Sequence, residues 1–193
     1  AEFVPFDFAE INHTVKDYAK WRPVFDADSV ARKENGLNLI VVGRGQENTN
    51  KIYMAFTISD VQKAKDFSAN PRLKEVMEKA GVTSKPEIGF YHALRFNAES
   101  KEKNWVIISH KVKDFDAWLK VYDSEGTAKR AEEGLIDVLL ARGIDDANLV
   151  YIVFDIKDME KAKAALSSES KKNLMMSAGV EGAPRFDFYS TAE

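Results

Sequence analysis

Slid along itself by about 97 residues, this chain meets its own second half. Ile11-Asn-His-Thr-Val-Lys-Asp-Tyr-Ala-Lys-Trp21 lies over Ile108-Ser-His-Lys-Val-Lys-Asp-Phe-Asp-Ala-Trp118. One additional residue before Gly134 shifts the register, after which Gly36-Leu37 meets Gly134-Leu135, Arg44-Gly45 meets Arg142-Gly143, and Asn50 meets Asn148. The match runs on through Tyr53 and Phe56 against Tyr151 and Phe154, Ala80-Gly81-Val82 against Ala178-Gly179-Val180, and Phe90-Tyr91 against Phe188-Tyr189. Roughly a third of the aligned positions are identical, in one order and with one small gap, which chance composition does not produce. The 193 residues therefore read as two copies of one unit, 1–96 and 105–193, joined by the polar stretch 97–104, which has no apolar period.

Each copy predicts the order βαββαβ. A first strand covers Phe8 to Val15, and Asp17 stands where an N-cap belongs, its carboxylate facing the free N–H groups of the following helix. Tyr18, Trp21 and Phe25 recur on one face of that helix, as do Phe115, Trp118 and Tyr122 in the second copy, with Gly36 or Gly134 placed to end it. Strands over Leu37–Arg44 and Lys51–Ile58 follow, then a helical stretch from Asp60 to before Gly81 with Pro71 as a break, then a last strand from near Pro86.

This order is that of the ferredoxin-like fold, four antiparallel strands under two helices. In the third strand Ile52, Met54, Phe56 and Ile58 make an apolar face for the helices, while Tyr53, Ala55 and Thr57 point the other way. The second strand, Leu39-Ile-Val-Val42, is apolar on both faces, so both faces of the sheet should be covered. The simplest cover is the equivalent face of the other copy. The expected fold is thus α+β, tandem ferredoxin-like repeats forming an intramolecular dimeric α+β barrel, a pseudo-dimer to which further homo-oligomerisation can be added.

Composition removes several functions. A net charge of -3, with Lys and Arg spread along the chain, leaves no basic stripe for nucleic acid or an anionic membrane. With no cysteine there are no disulfides, thiolate metal sites or cysteine nucleophiles, and no His–carboxylate pair at helical spacing offers a metal site. The apolar runs are strand-length, so a soluble protein is expected, cytoplasmic in preference. The start at Ala1-Glu2-Phe3, without an initiator Met, leaves processing after export as the alternative.

The strand ending His-x-Val, followed by Lys-Asp-(Tyr or Phe)-x-x-Trp, and the later Ala-Gly-Val-x-x-x-Pro before a closing strand, resemble the small dimeric α+β barrel proteins. The resemblance spans nearly the whole chain, one subunit per copy. It implies a superfamily of cofactor-free antibiotic-biosynthesis monooxygenases, polyketide cyclases, haem-degrading enzymes and muconolactone isomerases. Haem-handling members generally present a histidine from a helix, and no helix here contains one, so no cofactor is expected. Because one fold hosts many activities, chemistry has to be argued from a site.

His13 and His110 occupy the same place in the two copies. Each shares a strand face with apolar residues and should enter the space between sheet and helices, where the resemblance implies a pocket. Periodicity brings Trp21, Phe25, Met54, Phe56, Met77 and Phe90 near His13, and Trp118, Tyr122, Ile152, Phe154, Met175 and Phe188 near His110. Such a pocket suits a small apolar or aromatic molecule, with a neutral imidazole of pKa ~6.5 as general base on a phenol or enol, in a monooxygenase-like reaction. In the alternative reading each imidazole is a strand residue satisfied by a backbone carbonyl or a neighbour, and the protein is a non-catalytic structural or ligand-sensing one with filled pockets. Trp21 and Trp118 equally fit a core role, Arg44 and Arg142 a solvated turn or a carboxylate clamp, and Tyr53, Tyr91, Tyr151 and Tyr189 the contact between halves. His92 faces Ser190 in the alignment, and Phe25/Tyr122, Met54/Ile152 and Ile88/Phe186 differ as well, so the two pockets need not do the same job.

Overall fold

The computed structural model describes residues 2–193; Ala1, the first residue of the proposed processed start, lies outside the described residues. The first copy runs β1 (Phe6–Thr14), α1 (Tyr18–Ala27), α2 (Ser29–Glu34), β2 (Leu37–Gly45), β3 (Lys51–Ile58), α3 (Val61–Ser68), α4 (Pro71–Lys79) and β4 (Glu87–Phe96). The second runs β5 (Asn104–Val112), α5 (Phe115–Glu125), α6 (Thr127–Glu132), β6 (Leu135–Gly143), β7 (Leu149–Ile156), α7 (Met159–Leu166), α8 (Glu169–Ser177) and β8 (Val180–Thr191). The strand order β1-β3-β2-β8-β5-β7-β6-β4 closes on itself as an antiparallel barrel, so the fold is α+β, built from two ferredoxin-like repeats.

The helix starts follow from capping. Asp17, Asp60, Asp114 and Asp158 each accept a hydrogen bond from a first-turn backbone N–H, and Asn70 does the same for α4, which has Pro71 at its start. One expectation fails. The helix read as continuous from Asp17 to Gly36 is two helices in both copies, broken at Asp28 and at Gly126. Gly126, at φ +85°, is the additional residue of the second copy, and its backbone leaves the helical region altogether. Gly36 and Gly134, also at positive φ, end the second of each helix pair.

By contact density the chain divides into two compact units, Phe6–Tyr91 with Tyr189–Glu193, and His92–Phe188 with residues through Pro5. The closing strands β4 and β8 thus begin in one unit and end in the other. In the first unit Ile52, Met54, Phe56 and Ile58 of β3 join Trp21, Val15, Leu37 and Val42 in one core. In the second, Val150, Ile152, Phe154 and Ile156 of β7 do the same with Trp118, Phe115, Leu135 and Leu140. The other face of β3 is buried too, Tyr53 at 3% and Ala55 at 5% exposure. The second strand, from which that burial was inferred, behaves differently. A bulge between Leu39 and Val41 turns the strand, and Leu39 and Ile40 remain exposed.

The polar stretch after β4 is tied down locally. Asn97 donates its backbone N–H to Val138 O, while the Ser100 hydroxyl and the Glu102 N–H both reach the buried Asp155 carboxylate. Burial raises the Asp155 carboxyl above the usual carboxylate range. Among the described residues no helix is long and apolar enough to cross a membrane.

Candidate functional site

β1 pairs with β3 so that His13 faces Ile52, and β5 pairs with β7 so that His110 faces Val150. Both imidazoles point to the helix side of the sheet, where the first tryptophan of the following helix meets them edge-on. The His13 and Trp21 ring centroids are 5.8 Å apart at 74°, and those of His110 and Trp118 are 5.7 Å apart at 63°. One turn further along, Phe25 stacks on Trp21 at 4.8 Å and Tyr122 on Trp118 at 4.9 Å.

Each stack walls a cavity. In the first unit the cavity has about 60 Å³ open to the centre of a water molecule, lined by His13, Trp21, Phe25, Met54 and Phe56 together with Arg32, Asp28, Leu73 and Met77. In the second unit about 50 Å³ is lined by His110, Trp118, Tyr122, Ile152 and Phe154 with Arg130, Glu125, Lys171 and Met175. The sequence-predicted residues therefore converge, with two exceptions. Phe90 and Phe188 do not line the cavities; they pack on the respective cores, with Lys65 Nζ 5.6 Å from the Phe90 ring centre and Lys163 Nζ 5.2 Å from that of Phe188. Against the ~150 Å³ that an apolar core cavity needs to hold a benzene ring, these are small spaces. The first cavity shares Asp28, Phe67, Leu73 and Val76 with an adjoining cleft of about 270 Å³, so a larger molecule has somewhere to extend.

The electrostatics of the two histidines are alike. His13 is 4% exposed and His110 6%. Burial lowers both pKa values to about 4, because an imidazolium would be stripped of water there; each residue's own backbone opposes the shift only weakly. Both rings are neutral at pH 7. The Nδ1 atom of each is buried and makes no hydrogen bond of good geometry, the residue's own backbone being the one polar group that acts on the ring.

Arg32 and Arg130, which sequence reasoning missed, stand beside the histidines in the cavity walls. Each lies over the aromatic ring of its own helix pair, Arg32 at 3.9 Å from Phe25 and Arg130 at 3.8 Å from Tyr122. Each donates to the carbonyl of that same residue, at 2.8 and 2.9 Å. Each carbonyl also accepts a backbone N–H at the helix end, from Asp28 at 3.2 Å or Gly126 at 3.3 Å, and the arginine is its second donor. A signal was available: an arginine four residues before the helix-ending glycine in both copies. Arg44 and Arg142 stand near the ends of β2 and β6 and hold the turns that follow. Each Nε donates to a turn carbonyl, Thr49 O or Ala147 O, at 2.8 Å, and each guanidinium covers an aromatic ring. His92 is half-buried and lines neither cavity. Among the described residues no group of three His, Asp or Glu side chains gathers to hold a metal ion.

No family model matches the sequence, and no curated protein matches it. Solved structures do. A protein from Fusobacterium nucleatum, provisionally named a monooxygenase, aligns at a TM-score of 0.64 with 13% identity over 100% of this chain and 94% of its own. One from Lactobacillus acidophilus, similarly named, aligns at 0.61 with 17% identity over 98% and 94%. A ferredoxin-fold protein related to antibiotic biosynthesis monooxygenases, from Listeria monocytogenes, aligns at 0.54 with 14% identity over 99% and 97%. The shared fold spans nearly the whole of this chain and of each of those chains. At these identities the likeness concerns the fold, and the chemistry has to come from the cavities.

Proposed function

We propose that this protein binds a small, largely apolar or aromatic molecule bearing one acidic hydroxyl, a phenol or an enol, between sheet and helices, as a cofactor-free monooxygenase-like enzyme does. The observation that carries the reading is the pair of buried, neutral, unpartnered histidine Nδ1 atoms in apolar cavities. Trp21, Phe25 and Phe56 supply an apolar lining for a ring, and His13 supplies the polar atom that orients it. The step performed by the chain's own residues is proton transfer: the hydroxyl gives its proton to the imidazole, leaving an electron-rich anion able to react with dioxygen or rearrange.

Magnitudes restrict this step. Between an ordinary phenol at pKa ~10 and an imidazole at about 4 the transfer is uphill by about 8 kcal/mol, so the anion has to be stabilised where it forms. Arg32 is the cation in the same cavity wall. The test is saturable binding and oxygen uptake across a panel of phenols, quinones and polyketide-like compounds, with His13→Leu and His110→Leu singly and together. At least one phenol should bind, and His13→Leu should weaken it tenfold or more. Unchanged binding and uptake in the double variant would remove the histidines from the function.

A second reading applies to the second copy alone. Its cavity wall includes Glu125 and Lys171, already joined at 2.6 Å, which favours a structural role for that half.

A further inference from the structure

The two cavities differ most in what surrounds their arginine. In the second unit Arg130 is fully neutralised. Nε and Nη2 fork onto the Asp137 carboxylate at 2.8 and 2.9 Å, and Nη1 reaches Glu125 at 3.3 Å besides the Tyr122 carbonyl. Glu125 also takes Lys171 Nζ at 2.6 Å, and Lys171 in turn reaches Glu133 at 2.9 Å. Two cations and three carboxylates close on one another, which is how buried charge is ordinarily tolerated.

Every partner in that network has been replaced in the first copy. Leu39 stands at the position of Asp137, Asn35 at that of Glu133, and Leu73 at that of Lys171. Asp28, at the position of Glu125, is one methylene shorter. It acts on Arg32 through space but makes no ion pair with it. Arg32 itself is 8% exposed and donates one hydrogen bond, from Nη1 to the Phe25 carbonyl. Among the described residues no carboxylate lies in ion-pairing distance of it, and burial lowers its pKa from the ordinary arginine value. A guanidinium carries five N–H donors in a planar fork suited to two oxygens, and here one of them is engaged by the protein while the residue lines an apolar cavity.

We propose that the first cavity is an oxyanion pocket. It takes a small apolar body bearing one anionic oxygen group, with the apolar part against Trp21, Phe25 and Phe56 and the oxygens on Arg32. In the second copy the corresponding guanidinium is already held by the protein's own Asp137. The inference deepens the proposed function, since the anion left after His13 takes a proton is of this class, and a carboxylate supplied ready-made is its other source. The two sources separate experimentally, because a carboxylate needs Arg32 but not His13, whereas a phenol needs both.

Graded pairs test it: butyrate, isovalerate and benzoate against their neutral amides, titrated calorimetrically against the full chain up to ~10 mM at low salt. At least one acid should bind at one site per chain, at least tenfold more tightly than its amide. Arg32→Gln should remove that preference. Leu39→Asp, at an exposed position on the same strand bulge as Asp137, should remove it as well by supplying an internal counterion. Arg44→Gln, outside the cavity lining, should leave carboxylate binding within threefold. Equal binding of acid and amide, two equivalent sites per chain, no saturable binding of any acid, or retention of the preference in both Arg32→Gln and Leu39→Asp would each overturn the proposal. A carboxylate result that holds while phenols fail would retain the oxyanion pocket and discard the histidine reading.

Discussion

His13 and His110 carry a pH dependence that follows from where they sit. Their pKa values are lowered to about 4 in the folded chain and return to about 6.5 when it unfolds. Above pH 6.5 neither state binds the proton, and the histidines leave stability unchanged. Between pH 6.5 and 4 only the unfolded chain takes it up, so stability falls as pH falls, by as much as about 3 kcal/mol per histidine. Urea midpoints at pH 7 and pH 4.5 should therefore differ in the wild type, and the difference should shrink in the His13→Leu, His110→Leu double variant. An equal slope in both would mean that the rings are hydrated in the native state. The pairing of these histidines was legible from their alignment in the two copies, and so was the aromatic stripe beside them. Their lack of a partner was not, because a missing hydrogen bond depends on every neighbour at once. Arg32 went unread for the opposite reason: in one dimension a helical arginine looks like a solvated one, and only the break before it folds it back over Phe25.

At the level of elements, the apolar periods, caps and prolines placed most strands and helices to within a residue or two, but β8 begins at Val180, four residues before the Pro184 expected to precede it. Two readings gave way to backbone geometry. Periodicity runs through Asp28 and Gly126 without a mark, yet the helix stops there in both copies. The apolar run Leu39–Val42 suggested a strand covered on both faces, and the bulge instead leaves Leu39 and Ile40 in solvent. One helix-ending glycine and one strand glycine, both at positive φ, give a sharp test. Gly134 holds φ at +79°, and a Cβ there would stand 2.7 Å from the Asp158 carbonyl oxygen, whereas Gly182 at +70° has nothing within 4 Å of the same atom. Gly182→Ala should cost only the left-handed backbone strain, about 1–2 kcal/mol, and Gly134→Ala clearly more. Thermal unfolding of the two variants compares them directly, and equal losses would argue that the α7 start shifts freely.

For the molecule as a whole, the second copy's last residues belong to the first copy's unit. Gly43 to Gly45 of β2 pair with Tyr189 to Thr191, Ala192 N–H donates to Val42 O at 2.9 Å, and Gln46 reaches the Tyr189 carbonyl at 3.0 Å. Residues 1–96 expressed alone should leave that strand edge open and associate, eluting as a dimer or larger species on size exclusion. A stable monomer would show that the edge closes without the exchanged segment. The duplication and the βαββαβ order were present in the sequence, because local period, capping and self-alignment survive in one dimension. The tertiary structure alone decided that a buried arginine stands in each cavity wall and that only the second is neutralised. Burial and charge pairing are sums over neighbours that the chain brings together from α2, β2 and α4, or from α6, β6 and α8, only when it folds.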